Sequence, residues 1–252
     1  MAPDQGLQRR SDGEGALRLL ARRAIGLSGA DVERLVRVAR QRARREQRPL
    51  TWRDLDQLLC ASRPTMSATM RRRVAEHEAG HMLARILLDL GTLTVVTIDA
   101  PNGGFTEALL PDDHLETEQR CQDLLVVIMA GRAAEQVIYG SAIAGSGGYA
   151  HSDLARATKL ATTIETSLGF GHRMPLLYRD PDQWRAMIRQ DGRLARIVHR
   201  RLDDAEASAR RLVRRHRAQL DMIADALAAG GTLEGAELAA LAETVRAAVP
   251  AE

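Results

Sequence analysis

Two histidines and a glutamate have the spacing of a metal-binding pair with an adjacent base. They form the segment His77-Glu78-Ala79-Gly80-His81, an HExxH pattern. On a helix, histidines four residues apart face one ion together, and the glutamate lies where it can take a proton from a metal-bound water. With 7 histidines in 252 residues, chance produces this pattern in about one such chain in a hundred. The pattern therefore predicts a hydrolytic zinc site, and a pair of buried, hydrogen-bonded histidines is the alternative.

A catalytic zinc ion takes three protein ligands and keeps one position for water, so a third ligand must come from elsewhere. The longer HExxHxxGxxH pattern is excluded, because its glycine and third histidine are replaced by Ala84 and Leu87. Glu135 and Asp153 are the two main candidates, since each lies on the apolar stripe of a predicted helix. His151 is a weaker candidate. Spacing alone does not choose between the two acids, and either could instead form a buried ion pair.

The elements that would position these residues can be read from the periodicity of apolar residues. A helix from about residue 67 to 88 is predicted, because its apolar stripe advances in steps of three and four residues. That stripe contains both histidines: Met70, Val74, His77, His81, Ala84 and Leu88. Strand-like residues follow over 93–98, and Pro101-Asn102-Gly103-Gly104 predicts a turn into a second extended segment over 105–110. A short β-hairpin should therefore follow the helix.

Further helices are predicted on both sides of this unit. Capping patterns at Ser28 and Thr51 begin two short helices in the first quarter of the chain. Downstream, helical periodicity is found at about 116–139, 153–168 and 194–227, the last as one long helix or a helical pair. The predicted fold is therefore mainly α, an α+β arrangement with a small β-hairpin.

Composition narrows the class of protein. The sequence is 45% apolar and only 3% aromatic, which is typical of a soluble globular protein with an aliphatic core. Its longest apolar run, Leu124–Ala130, is far shorter than the roughly 20 residues of a membrane-spanning helix. The first 25 residues lack the apolar stretch of a secretory signal, so a cytoplasmic location is predicted. Cys60 and Cys121 form no CxxC pair, which excludes a disulfide scaffold and a cysteine-based zinc site.

The basic residues exclude one class of protein and argue against another. Lys159 is the only lysine, and it does not end a Gly-Lys-Ser/Thr sequence, so the chain itself is not expected to be a P-loop ATPase. The formal net charge is only +3, and arginines on helices more often form a solvated face than a nucleic-acid patch. No nucleic-acid partner is therefore expected, and arginine-driven nucleic-acid binding ranks third among the functions considered.

Three segments, taken in order, resemble the peptidase domain of the FtsH-type ATP-dependent zinc metalloproteases. They are His77–His81, Gly131–Gly140, and Ser152–Ala161 with the Leu168-Gly169-Phe170 that follows. The order and spacing of the three segments make the resemblance specific, and it covers roughly residues 65–245.

The resemblance implies a ligand set and a mechanism. In that family two histidines and an aspartate of the third segment bind zinc, which implies His77, His81 and Asp153 as ligands, with Glu135 in reserve. Glu78 matches the general base of the family. The implied activity is zinc-dependent endopeptidase cleavage of unfolded or flexible polypeptides by a zinc-activated water.

A substrate-binding strand is implied as well. The extended segment from Gly104 resembles the family strand beside the zinc helix, and an edge strand can align a peptide by main-chain hydrogen bonds. Gly104, Phe105 and Thr106 are therefore the expected substrate-binding residues.

The resemblance also implies a domain organisation and partners. Residues 26–31 and 51–55 resemble the helical lid that ends the family's ATPase module. The predicted organisation has four parts: a charged leader over 1–24, a lid-like segment over 25–64, the peptidase domain over 65–245 and a tail over 246–252. Since no nucleotide-binding core is recognised, the enzyme is expected to lack its own ATPase, and a separate AAA+ ATPase and a homo-hexamer are the possible partners.

The main alternative is a non-catalytic interaction module of the same descent. It would bind an ATPase partner or a protease ring, and its zinc would be structural. Retention of Glu78 favours the enzyme, because a structural zinc site has no use for that carboxylate.

Overall fold

A computed structural model of the chain was analysed. It describes residues 27–61, 66–100, 103–110 and 117–248, together with Leu17, Leu20, Ala21, Arg23 and Ala24. The predicted leader and tail fall largely outside these residues, as do Pro101 and Asn102 of the predicted turn. The chain divides into two compact units, one with the described residues up to Thr69 and Asp99–Gly104, the other with Met70–Ile98 and the described residues from Phe105 onward. The boundaries at 25–64 and 65–245 stay predictions.

Within residues 27–61, which the structure describes without a gap, the first unit has the helices α1 (Gly29–Arg45) and α2 (Trp52–Ala61). The predicted capping box is present at α1, where the Ser28 hydroxyl accepts from the Asp31 amide and the Asp31 carboxylate accepts from the Ser28 amide. Between the helices, the guanidinium of Arg48 donates to both oxygens of the buried Asp54, at 2.9 and 2.6 Å. This ion pair fixes the turn that leads into α2.

The rest of the chain is mainly helical, as predicted. Its α-helices, in chain order, are α3 (Ala68–Leu87), α4 (Glu118–Tyr139), α5 (Asp153–Thr166), α6 (Trp184–Gln190), α7 (Gly192–Arg215), α8 (Arg217–Gly230) and α9 (Gly235–Ala247). The segment 194–227 is a helical pair, with the break at His216 between α7 and α8. Among the described residues, no helix has both the length and the apolar character that a membrane crossing requires.

The predicted hairpin is part of a three-stranded antiparallel sheet. Its strands β1 (Thr92–Ala100), β2 (Gly103–Leu109) and β3 (Thr232–Glu234) lie in the order β2-β1-β3. In β1 and β3, Val96 lies opposite Leu233. The sequence did not predict β3, because three residues are too few to show an alternating pattern.

Two apolar clusters hold the larger unit together. One joins α3 and the sheet to α8 and α9, and its fully buried members include Met82, Leu83 and Leu227. The other joins α4, α5 and α7. Since α3 also contributes Ala84 to the second cluster, apolar packing fixes the helix with the HExxH segment on both sides. Burial of this kind is the main stabilising contribution to such a fold.

Candidate metal centre

Helix α3 brings the two histidines together. The rings of His77 and His81 lie edge to face with their centroids 4.8 Å apart, and their Nε2 atoms are 3.1 Å apart. His81 is buried and His77 is partly exposed. This is the geometry expected of residues one helical turn apart, whose side chains lie on one face.

Asp153 reaches the same point from α5. It is the first residue of that helix, and the hydroxyl of the capping Ser152 accepts from the Ala155 amide at 3.4 Å. The Asp153 Oδ2 atom lies 3.0 Å from His77 Nε2 and 3.3 Å from His81 Nε2. The predicted ligands thus converge, with one donor atom from each within 4.8 Å of the others.

The donor set fits zinc. Two imidazole nitrogens and one carboxylate oxygen are ligands that a catalytic zinc ion takes. Ligand atoms about 2.0 Å from a tetrahedral ion are separated by about 3.3 Å, and the donor atoms of His77, His81 and Asp153 lie 3.0 to 3.3 Å apart. The side chains are therefore arranged as a zinc ion requires.

Helix α4 orients both imidazoles from the opposite side. His77 Nδ1 donates to Glu135 Oε1 at 2.9 Å, and His81 Nδ1 donates to the Val127 carbonyl at 2.8 Å. Because each ring is held at Nδ1 by α4, the Nε2 atom on its other side faces Asp153. The two acids that spacing could not separate therefore occupy different positions, since Asp153 faces Nε2 and Glu135 faces Nδ1 of the same ring. His151, the weaker candidate, is exposed in the loop before α5.

Burial and neighbouring charges set the protonation of these groups. Burial alone would lower the pKa of His77, but hydrogen bonds to Asp153 and Glu135 raise it to about 10. Burial opposes the ionisation of Asp153, yet His81 and His77 hold the pKa of that carboxyl below its ordinary range. Burial raises the pKa of Glu78. A metal ion bound by the imidazoles would displace their protons, so binding would release protons.

A glycine of α4 makes room for the imidazoles. A Cβ atom at Gly131 would lie 2.6 Å from His77 Nε2 and still closer to His81 Nε2. Any larger residue would therefore occupy the space in which the Nε2 atoms meet. The sequence singled out Gly131 as the start of the segment Gly131–Gly140 but gave no signal of this close approach.

Glu78 lies beside the ligands and contacts the sheet. It is buried, and its Oε2 atom accepts a hydrogen bond from the Thr106 hydroxyl at 2.9 Å. Thr106 is in β2, an edge strand among the described strands, and Gly104 and Phe105 precede it there. The sequence predicted substrate binding by these three residues but missed the contact between Thr106 and Glu78.

Comparisons with known proteins identify relatives of the chain. Residues 64–241 match peptidase family M41. The chain is similar to the "ATP-dependent zinc metalloprotease FtsH 1" of Sorangium cellulosum, with 33% identity over 90% of the chain and 40% of the relative. It is also similar to proteins named "ATP-dependent zinc metalloprotease FtsH" in Kosmotoga olearia and Thermotoga maritima, with 29% and 28% identity over 88% of the chain and 38% and 40% of those relatives. The chain therefore spans about two fifths of the length of these relatives.

Proposed function

The chain belongs to peptidase family M41, and on that premise we propose that it is a zinc-dependent endopeptidase that cleaves unfolded or flexible polypeptides. The observation that carries the proposal is the convergence of His77 Nε2, His81 Nε2 and Asp153 Oδ2 beside the buried carboxylate of Glu78.

His77, His81 and Asp153 would hold the zinc ion. A zinc ion bound there supplies a Lewis acid that polarises a peptide carbonyl and lowers the pKa of a water ligand to about 7. The contact of Glu135 with Nδ1 of His77, and not with Nε2, supports a role for Glu135 in orienting His77 rather than in binding the ion.

Glu78 is proposed as the general base. Its raised pKa makes the carboxylate a better proton acceptor than an exposed glutamate. The hydrogen bond from Thr106 holds one carboxylate oxygen in place. Glu78 takes a proton from the attacking water and later delivers it to the nitrogen of the leaving amine.

Strand β2 is proposed to align the substrate. An extended peptide can add to an edge strand by main-chain hydrogen bonds. Gly104, Phe105 and Thr106 are consecutive residues of β2, and the Thr106 hydroxyl contacts Glu78. Only a polypeptide that can become extended would bind in this way. Unfolded and flexible chains are therefore the expected substrates.

The partners are proposed from the relatives, whose names describe them as ATP-dependent. A separate AAA+ ATPase would deliver unfolded chains, and a homo-hexamer would enclose them. The alternative is a non-catalytic module with a structural zinc, which would bind zinc without cleaving any polypeptide.

The test of the enzyme is cleavage of casein or of a labelled peptide, with zinc content measured on the same sample. Glu78→Gln should retain zinc and lose cleavage by about 10²- to 10⁴-fold, because it removes only the proton acceptor. Glu206→Gln is a control, since the Glu206 carboxylate pairs with Arg132 between α4 and α7 rather than with a proposed ligand or with Glu78. Unchanged cleavage in Glu78→Gln would contradict the base, and zinc binding without cleavage in the wild type would favour the module.

The same assay separates the two acids. Zinc stoichiometry should fall more in Asp153→Ala than in Glu135→Ala, because Asp153 would donate directly to the ion. The opposite order would make Glu135 the ligand.

A further inference from the structure

We infer that Arg73 is a positioning residue of the metal centre, acting on His77 through Glu135 and on the loop before Asp153 through Ser141. The inference rests on the proposed zinc site. Arg73 lies on α3, four residues before His77.

Both oxygens of the Glu135 carboxylate are engaged. Oε1 accepts from His77 Nδ1 at 2.9 Å, whereas Oε2 accepts from Arg73 Nε at 2.7 Å and from the Ile143 amide at 3.0 Å. The residue is only 1% exposed. Rotation of the carboxylate would break contacts on both sides, so the position of Arg73 determines how Glu135 presents Oε1 to the imidazole. A hydrogen bond of this kind sets the orientation of a metal-binding histidine.

The guanidinium of Arg73 is itself held at several points. Its Nη2 atom donates to the Ser141 carbonyl at 2.7 Å, and its Cζ atom lies 4.5 Å from the centre of the Tyr139 ring. The Tyr139 hydroxyl donates to Glu76, and the other oxygen of Glu76 accepts from Arg72 Nε at 2.7 Å. The planar fork of an arginine can satisfy such a set of contacts at once, whereas the single ammonium of a lysine cannot.

Arg73 and Glu135 also bind the loop that leads from α4 to Asp153, the third proposed ligand. The Ser141 carbonyl and the Ile143 amide belong to the segment that leaves α4 at Gly140 and ends at the cap of α5. Asp153 is the first residue of α5. The Arg73–Glu135 ion pair is therefore connected to His77 on one side and to the segment leading to Asp153 on the other.

The test is zinc affinity by competition with a chromophoric chelator, together with the visible spectrum of the cobalt-substituted protein. Arg73→Met keeps the aliphatic stem but removes the donors, and it should weaken zinc binding by about tenfold or more, as loss of an outer hydrogen bond to a metal site typically does. Its cobalt spectrum should differ from that of the wild type, because the imidazole is no longer fixed.

Arg71→Met is the matched control. Arg71 lies two residues before Arg73 on the same helix, and its Nε atom donates to the Ala228 carbonyl at 3.0 Å rather than to the Arg73 network. Its zinc affinity should stay within about twofold of the wild type, since the contacts of His77 are intact. Wild-type affinity and cobalt spectrum in Arg73→Met would overturn the inference.

Folding is followed by circular dichroism with chelator present. If Arg73→Met does not fold, Arg73→Lys replaces it, and the same weakening is expected because an ammonium cannot reproduce the fork; wild-type behaviour there would overturn the inference equally. A wild-type protein that binds no zinc would overturn the proposed function as well as the role of Arg73. If the wild type binds zinc and cleaves polypeptides, and the Arg73 variants match it in zinc affinity and cobalt spectrum, only the positioning role of Arg73 is overturned.

Discussion

Each imidazole of the metal centre is held from two sides. His77 contacts Glu135 and Asp153, and His81 contacts the Val127 carbonyl and Asp153. A metal-binding histidine with its second nitrogen fixed loses less freedom on binding than a mobile one, which favours affinity. With the rings fixed in this way, the two Nε2 atoms need the space that the absence of a side chain at Gly131 leaves beside them.

Replacement of Gly131 tests that free space. Gly131→Ala places a methyl group where the Nε2 atoms meet, and the imidazoles cannot move aside without breaking their Nδ1 hydrogen bonds. We expect zinc affinity to fall by about 10- to 100-fold, the range typical of disturbed metal-site support. Helix content should not fall, because alanine favours a helix by about 1 kcal/mol over glycine. Zinc titration and circular dichroism measure the two effects.

Gly192→Ala is the control for this substitution. Gly192 begins α7, and nothing lies within 4 Å of a Cβ atom there. Its zinc affinity should equal that of the wild type. Tight zinc binding by Gly131→Ala would show that the imidazoles can shift, against the close packing described.

At the scale of elements, a buried ion pair joins the helices behind the metal centre. Glu165 near the end of α5 accepts from Arg201 of α7, and both residues are less than 8% exposed. Arg201 also donates to Glu118 at the start of α4, at 3.1 Å, and the backbone amide of His172 donates to Glu165 Oε2 at 3.1 Å. The pair therefore anchors the helix whose other end carries Asp153.

Removal of the Arg201 side chain should lower the free energy of unfolding, by an amount that depends on pH. Arg201→Met leaves the Glu165 carboxylate buried without its charged partner, which typically destabilises a protein by about 3–5 kcal/mol. Burial opposes ionisation of Glu165, but Arg201 and His172 lower its pKa below the ordinary value. The pair thus stabilises the wild type above the ordinary carboxyl pKa, and this stability is lost as pH falls through the lowered one. Urea unfolding at pH 7 and pH 4 measures the difference.

The difference in the free energy of unfolding between Arg201→Met and the wild type should be smaller at pH 4 than at pH 7, because Glu165 of the variant can then be protonated. Lys159→Met is the control, since it removes an exposed pair with Asp182 and should cost about 0–1 kcal/mol. A larger difference in the free energy of unfolding at low pH would show that the Arg201–Glu165 pair is not what stabilises this part of the fold.

At the scale of the whole molecule, the proposed zinc binding would be linked to folding. The donors come from two helices that are distant in sequence, His77 and His81 on α3 and Asp153 on α5, so the unfolded chain has no preformed site. Zinc at 1,000 times its dissociation constant should stabilise the folded chain by about 4 kcal/mol. For a protein of this size that corresponds to about 10 °C in the melting temperature.

Removal of zinc with a chelator should therefore lower the melting temperature measured by calorimetry. Glu78→Gln should keep the shift and Asp153→Ala should lose most of it, because only the second removes a proposed ligand. An equal melting temperature with zinc and with chelator would contradict binding at this site.

The sequence by itself determined the local part of this protein. Histidines four residues apart share a helix face, so the HExxH segment already placed His77 and His81 together. Apolar periodicity already predicted the hairpin and helices α1 to α5, α7 and α8, but not α6 or α9. These features depend on residues within a few turns of one another. The tertiary structure alone decided where Glu135 and Asp153 lie around His77, why α4 needs Gly131, and that β3 pairs with β1. These contacts join residues far apart in sequence, and their geometry follows from how α3, α4 and α5 pack, which no local pattern records.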